Sequence, residues 1–214
     1  MSRVFTFICL SSAAIAITGC SREQPPPAPE ATTASPKTAP PTERLVGPLS
    51  EEDARALATM NDGIRAYLEL HSKLEKELPK LPDDASPQQI DTNQREFERR
   101  IRAARKTAKE GDIFTAQAQP VIKRLLNSVF RGPEGKALKA SIMDENVADP
   151  IQLKVAVNAR YPDTVPLTSI PPSVLHTLPK LTEDLEYRFV GDWLILLDTH
   201  AHVIADFIRD ALPK

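Results

Sequence analysis

Four side chains near the C-terminus, Asp198, His200, His202 and Asp206, form the densest set in the sequence able to bind a metal or move a proton. In an extended segment Asp198, His200 and His202 fall on one face; in a helix Asp198, His202 and Asp206 stack one turn apart. Imidazole with carboxylate is the usual donor mix for zinc and similar ions. One expectation is therefore a divalent transition-metal site on Asp198, His200, His202 and Asp206. The competing expectation is that Asp198 stabilises a turn and the histidines are ordinary loop residues. Asp-x-His-x-His matches no metalloenzyme motif, and no His-Glu-x-x-His supplies a general base, so a hydrolase built on these residues ranks last. Gly-x-Ser-x-Gly, phosphate-cradling glycine loops and Cys-x-x-Cys-His are absent, and no catalytic residue is assigned. His71 lies on an apolar helical stripe, where a packed histidine is expected rather than a ligand. His176 sits beside prolines with no evident partner.

Cys20 is the other residue with chemistry to offer. Arg3 is the single charge of a short basic start, and Val4 to Ile17 is an apolar run broken by Thr6, Ser11 and Ser12. That run is too short to cross a ~30 Å hydrocarbon core as a stable helix, and it ends in the small residues of a cleavage site. The run Ile17-Thr18-Gly19-Cys20 resembles the lipobox of bacterial lipoproteins. The resemblance implies a signal peptide over residues 1–19, cleavage after Gly19, and diacylglycerol on the Cys20 thiol with acylation of the new amine. Two or three acyl chains, at about 0.8 kcal/mol per buried methylene, anchor a protein stably. Ser21 follows, where Asp would be the usual inner-membrane retention signal. The resemblance thus implies the outer membrane and its periplasmic face.

Cys9 leaves with the signal, so the mature chain keeps one cysteine, at its own first residue. A disulfide, a thiolate metal site and a cysteine nucleophile are thereby excluded. With 27 basic and 29 acidic residues the charge is near balance, which argues against nucleic acid as a partner. Gln24 to Pro48 contains eight prolines among Ala, Thr, Glu and Ser without apolar periodicity. It is expected to be an extended stalk, at about 3.1 Å per residue where polyproline II forms. Residues 20–48 are thus the lipidated cysteine plus linker, and 49–214 a single domain.

In that domain the helical spacing of Leu57, Met60, Ile64, Leu68, His71, Leu74 and Leu78 predicts a helix capped by Ser50 and running to about Glu77. Ser86-Pro87 opens a second, with Ile90, Phe97, Ile101, Ala104 and Ala108 inward and Gly111 as its stop. Its Arg95, Arg99, Arg102 and Lys106 could meet anionic lipid or glycan, but Glu96–Arg100 and Glu98–Arg102 pairs favour a solvated face. A third helix is expected from about Ala116 to Phe130 and a fourth from Glu134 to Asp144, with one further turn near Ser173–Leu178. Leu153, Val155, Val157 and Ala159 alternate with polar or small residues and predict a strand. Tyr187–Val190 and Trp193–Leu197 predict two more, joined by a two-residue turn with Gly191 first. Val203–Ile208 is read as a returning strand in preference to a helix. The fold class is α+β: about four N-terminal helices packed on a small, mainly antiparallel C-terminal sheet of 3–4 strands.

The segments Gly111–Phe114, Phe130–Pro133, Val157–Pro162 and Glu186–Asp192 resemble recurring segments of a family of exported bacterial proteins without an assigned function. That resemblance implies a shared domain over most of 57–213 and no activity. The final strands are also similar, over a short stretch, to small periplasmic metal-stress proteins. The leading expectation is a non-enzymatic envelope lipoprotein that binds a protein partner or supports the envelope. A periplasmic metal-binding protein using Asp198, His200 and His202 is the alternative.

Overall fold

The computed structural model describes residues 49–145, 149–166 and 169–213. The expected signal peptide, Cys20 and the proline-rich residues up to Pro48 lie outside them. Among the described residues are five helices and a three-stranded antiparallel sheet in the order β1-β2-β3, with every strand C-terminal to the helices. No helix among them is long and apolar enough to cross a membrane.

Helix α1 (Glu51–Lys76) starts where Ser50 Oγ accepts the Asp53 N–H at 3.1 Å, with Glu51, Glu52 and Asp53 in the first turn, favourable to the helix dipole. Its fully buried stripe is Ala56, Met60, Ile64, Tyr67 and His71, while Leu57, Leu68 and Leu74 are only partly buried. Helix α2 (Pro87–Ala104) opens on a full capping box. Gln89 N–H donates to Ser86 Oγ at 3.3 Å, and Ser86 N–H donates to Gln89 Oε1 at 2.7 Å. It ends at Ala104, well before the expected stop at Gly111: Arg105 leaves helical geometry at φ −107°, ψ 28°, and further on the backbone N–H groups of residues 111, 113 and 114 are bound by Asp206 of the sheet. Ile90 is correspondingly half exposed, and Phe97 and Ile101 carry the burial. Helices α3 (Ala118–Phe130), α4 (Gly135–Glu145) and α5 (Pro172–Thr177) follow as the sequence predicts.

The sheet is a meander of β1 (Leu185–Val190), β2 (Trp193–Asp198) and β3 (Val203–Ile208). Gly191, with φ +58°, takes the left-handed first position of the two-residue β1–β2 turn. Alternation sends Leu185, Tyr187, Phe189, Leu194 and Leu196 into the main core beneath the helices, and Ile195 and Leu197 to the opposite face. A bulge breaks the β2–β3 register: Leu197 pairs with Ile204 but Leu196 with Asp206, leaving Ala205 as the extra residue. Parity flips there, so that Val203, Ala205 and Ile208 face the helices while Ile204 and Phe207 face away.

The strand expected over Leu153–Ala159 does not form. Residues 151–154 and 157–158 are turns, and Lys154 and Asn158 have φ of +53° and +64°. The segment nevertheless lies on the sheet. Val155 and Tyr161, with Leu153, Val157 and Val165, build a second apolar cluster with Val190, Ile195, Leu197, Ile204 and Phe207 on the face away from the helices. Its backbone runs beside β3. Asn158 N–H donates to Ile204 O, Ile204 N–H to Ala159 O and Tyr161 N–H to His202 O, at 2.8–2.9 Å, with one bridge between Arg160 and Val203.

Candidate functional site

The period-two alternation that puts Leu194 and Leu196 under the helices carries Asp198 to the same face at the end of β2, where it is fully buried. Its Oδ1 accepts the N–H groups of His200 (3.1 Å) and Ala201 (2.7 Å), closing the β2–β3 turn. Its Oδ2 accepts the Tyr67 hydroxyl at 2.7 Å and lies 2.8 Å from His71 Nδ1. Burial, with the charge and hydrogen bond of Asp198 added, pushes the Tyr67 phenol well above its ordinary range, so Tyr67 is a fixed donor.

His71 and Glu75 stand one turn apart on α1. His71 is buried with an edge-on contact to Phe97 at 4.8 Å between ring centres, and Phe97 also meets the His200 ring at 5.1 Å. Among the described residues the buried His71 Nε2 has no hydrogen-bond partner; Asp184 Oδ1 lies 3.7 Å from it and Glu75 Oε2 4.0 Å. His200 Nδ1 lies 3.0 Å from Glu75 Oε1. One ligand atom each from His71, Glu75 and His200 falls within 4.8 Å of the other two. Burial alone would lower the His71 pKa, but the Asp198 hydrogen bond and the charges of Asp198, Asp184 and Glu75 outweigh it and leave the value raised. Three carboxylates, those of Asp198, Asp184 and Glu75, thus lie within 4.0 Å of the His71 ring nitrogens.

The four residues singled out in the sequence divide among separate tasks. Asp198 and His200 belong to this cluster, the first behind it and the second at its rim. His202, at φ +53°, ends the turn and meets Asp163 at 3.0 Å. Asp206 lies inside the protein, its Oδ1 accepting from Gly111 and Phe207 N–H and its Oδ2 from Ile113 and Phe114 N–H, at 2.8–3.1 Å. Burial pushes its carboxyl up and the four donors pull it back, the net direction being upward. The sequence singles out neither His71 nor Glu75 as a donor, because an i,i+4 His–Glu pair on an apolar helix reads as packing. The available signal was that Glu75 follows His71 by one turn on the same face.

The basic face of α2 is paired within itself. Arg95 meets Asp91, Arg99 and Arg100 meet Glu96, and Arg102 meets Glu98, all at 2.6–3.0 Å, as a solvated helix face predicts. Arg160 adds Glu98, Gln94 and Asp163, tying the 158–165 segment to α2. His176 lines a cleft of about 360 Å³ between α5 and β1, together with Leu175, Pro179 and Tyr187.

No protein-family model matches the chain, and neither a curated protein nor a solved structure matches it.

Proposed function

We propose that this chain is a lipid-anchored protein of the cell envelope, in which acylated Cys20 and a proline-rich stalk hold a non-enzymatic α+β domain that binds an envelope protein or supports the envelope structurally. The observation carrying this reading is the order Arg3, apolar Val4–Ile17, Thr18-Gly19-Cys20, then a proline-rich stretch up to Pro48. The non-enzymatic reading is supported by the structural tasks of the most reactive-looking side chains. Asp206 pins a loop, Asp198 closes a turn, and His202 joins an ion network. With Ser21 after the anchor, the periplasmic face of the outer membrane is the proposed address in a Gram-negative envelope.

The test is expression of the full chain and a Cys20→Ala variant with labelled palmitate, followed by membrane fractionation. The parent is expected to carry label and sediment with the denser outer-membrane fraction. The variant is expected to lose both. A Cys20→Ala product that stays acylated and membrane-bound overturns the anchor.

A further inference from the structure

We propose that His71, Glu75 and His200 bind one divalent transition-metal ion of the zinc class, with Asp184 within reach as a fourth ligand and Asp198 orienting His71 from behind. The proposal is independent of the membrane anchor and of the domain's partner.

The first observation is the spacing around His71 Nε2. At 3.7 Å from Asp184 and 4.0 Å from Glu75, this buried nitrogen is too far from either carboxylate for a hydrogen bond, whose N···O distance is about 2.7–3.2 Å. Two ligand atoms about 2.0–2.1 Å from a shared tetrahedral ion lie about 3.4 Å apart. The gaps around His71 Nε2 therefore fit an ion better than a direct bond, while the 3.0 Å contact between His200 Nδ1 and Glu75 Oε1 is a direct one that an ion would replace. A buried polar atom aimed at two carboxylates without a partner is costly, and a bound cation removes the cost.

The second observation is the support behind the ring. Asp198 Oδ2 engages Nδ1, fixing the tautomer in which Nε2 offers its lone pair outward, and Asp198 is itself held by Tyr67 and two backbone N–H groups. A carboxylate behind a histidine in this way is the recurrent outer shell of metal-bound imidazole. The third is the positioning of the other donors. Thr199 N–H donates to Asp184 O at 3.0 Å, so the turn before β1 and the β2–β3 turn are tied together and present Asp184 and His200 from one side. His71 and Glu75 come from α1 on the other. Phe97 walls the site against its two imidazoles.

The side chains of Glu75, Asp184 and His200 are 42%, 46% and 44% exposed, whereas His71 is 1% exposed. Three half-exposed side chains thus face one buried nitrogen, and their open side is the entry path. Two imidazoles with two carboxylates suit zinc, and by the same donor logic nickel, cobalt and copper(II).

The experiment is calorimetric titration of the chelator-treated, detergent-solubilised full chain with zinc. Cobalt absorption in the visible serves as a second readout of ligand geometry. His71→Ala removes a buried ring and risks the fold, so the informative variants are the surface changes His200→Ala and Glu75→Gln, with His202→Ala as control. One ion per chain is expected, weakened about 100-fold or more by His200→Ala, at least about tenfold by Glu75→Gln, and unchanged by His202→Ala. No binding of zinc, nickel, cobalt or copper by the parent, or binding undiminished in His200→Ala and Glu75→Gln, overturns the site. So does loss of binding in His202→Ala with a native circular dichroism spectrum.

Discussion

Asp206 accepts four backbone N–H bonds on one buried carboxylate, three of them from the loop 111–114. Asp206→Asn keeps one oxygen for two of the donors and turns an NH₂ group against the other two. Hydrogen bonds to charged groups are worth about 1.5–3 kcal/mol each, and donors left buried and unpaired cost similarly. The variant should lose about 3 kcal/mol of unfolding free energy in urea titration, and a loss within 0.5 kcal/mol or so would show the loop to be held otherwise. The sequence marks Asp198 and Asp206 as special by their acidity amid apolar strands, but their partners are not local. Tyr67 and His71 precede Asp198 by 131 and 127 residues, and Ile113 precedes Asp206 by 93. Spacing along a chain reports which residues share a face, not what the face meets. That is why the acidic residues were legible and their roles were not, and why His71 read only as packing.

At the scale of elements, helix starts and the hairpin were written in local chemistry: Ser50 and Ser86-Pro87 as caps, Gly191 as a turn. The Leu153–Ala159 segment was not, and the reason is physical. Its alternation reflects burial, since Leu153, Val155 and Val157 all reach the outer apolar cluster, yet turns deliver them there without a hydrogen-bonded ladder. Asn158 makes this possible. Its Nδ2 donates to Arg105 O at 2.7 Å, its Oδ1 accepts from Arg105 Nη1 at 2.9 Å, and its backbone is left-handed. Arg105 in turn donates to the carbonyl of the bulge residue Ala205 at 3.0 Å and lies over the Tyr67 ring. Both Asn158→Gly and Asn158→Ala forfeit the side-chain bonds, but only Ala strains a left-handed backbone, by about 1 kcal/mol. Thermal and urea unfolding should rank Asn158 above Gly above Ala, the reverse of the usual order of Ala and Gly. Ala matching Gly would mean that the backbone relaxes out of that conformation.

For the molecule as a whole, Asp163 links three regions, receiving Arg160, facing Arg95 on α2 at 3.7 Å and meeting His202 of the β2–β3 turn. The Arg160 hydrogen bond holds its carboxyl below the ordinary value of 3.8, with slight burial opposing and the charges of Arg160 and His202 assisting. A depressed folded pKa contributes stability that is present above the unfolded value and lost as pH falls through the folded one. Because Asp163 is nearly half exposed, the contribution is about 1 kcal/mol or less. The stability difference between the parent and Asp163→Asn should therefore be steady near pH 5 and shrink below 3.8; a difference that grows with acid would reverse the assignment. The α+β class was legible because its helical and alternating stretches are segregated along the chain. The second apolar layer was not, since a turn-built segment covers it. That segregation also governs assembly. Synthesis delivers α1, α2 and α3 before the sheet that completes their core, which spans Leu185–Ile208. A chain cut anywhere before Val203 lacks β3, and with it Asp206 and the strand beside Asn158. Such a fragment would leave the apolar residues of α1, α3 and β2 that pack against β3 exposed to water.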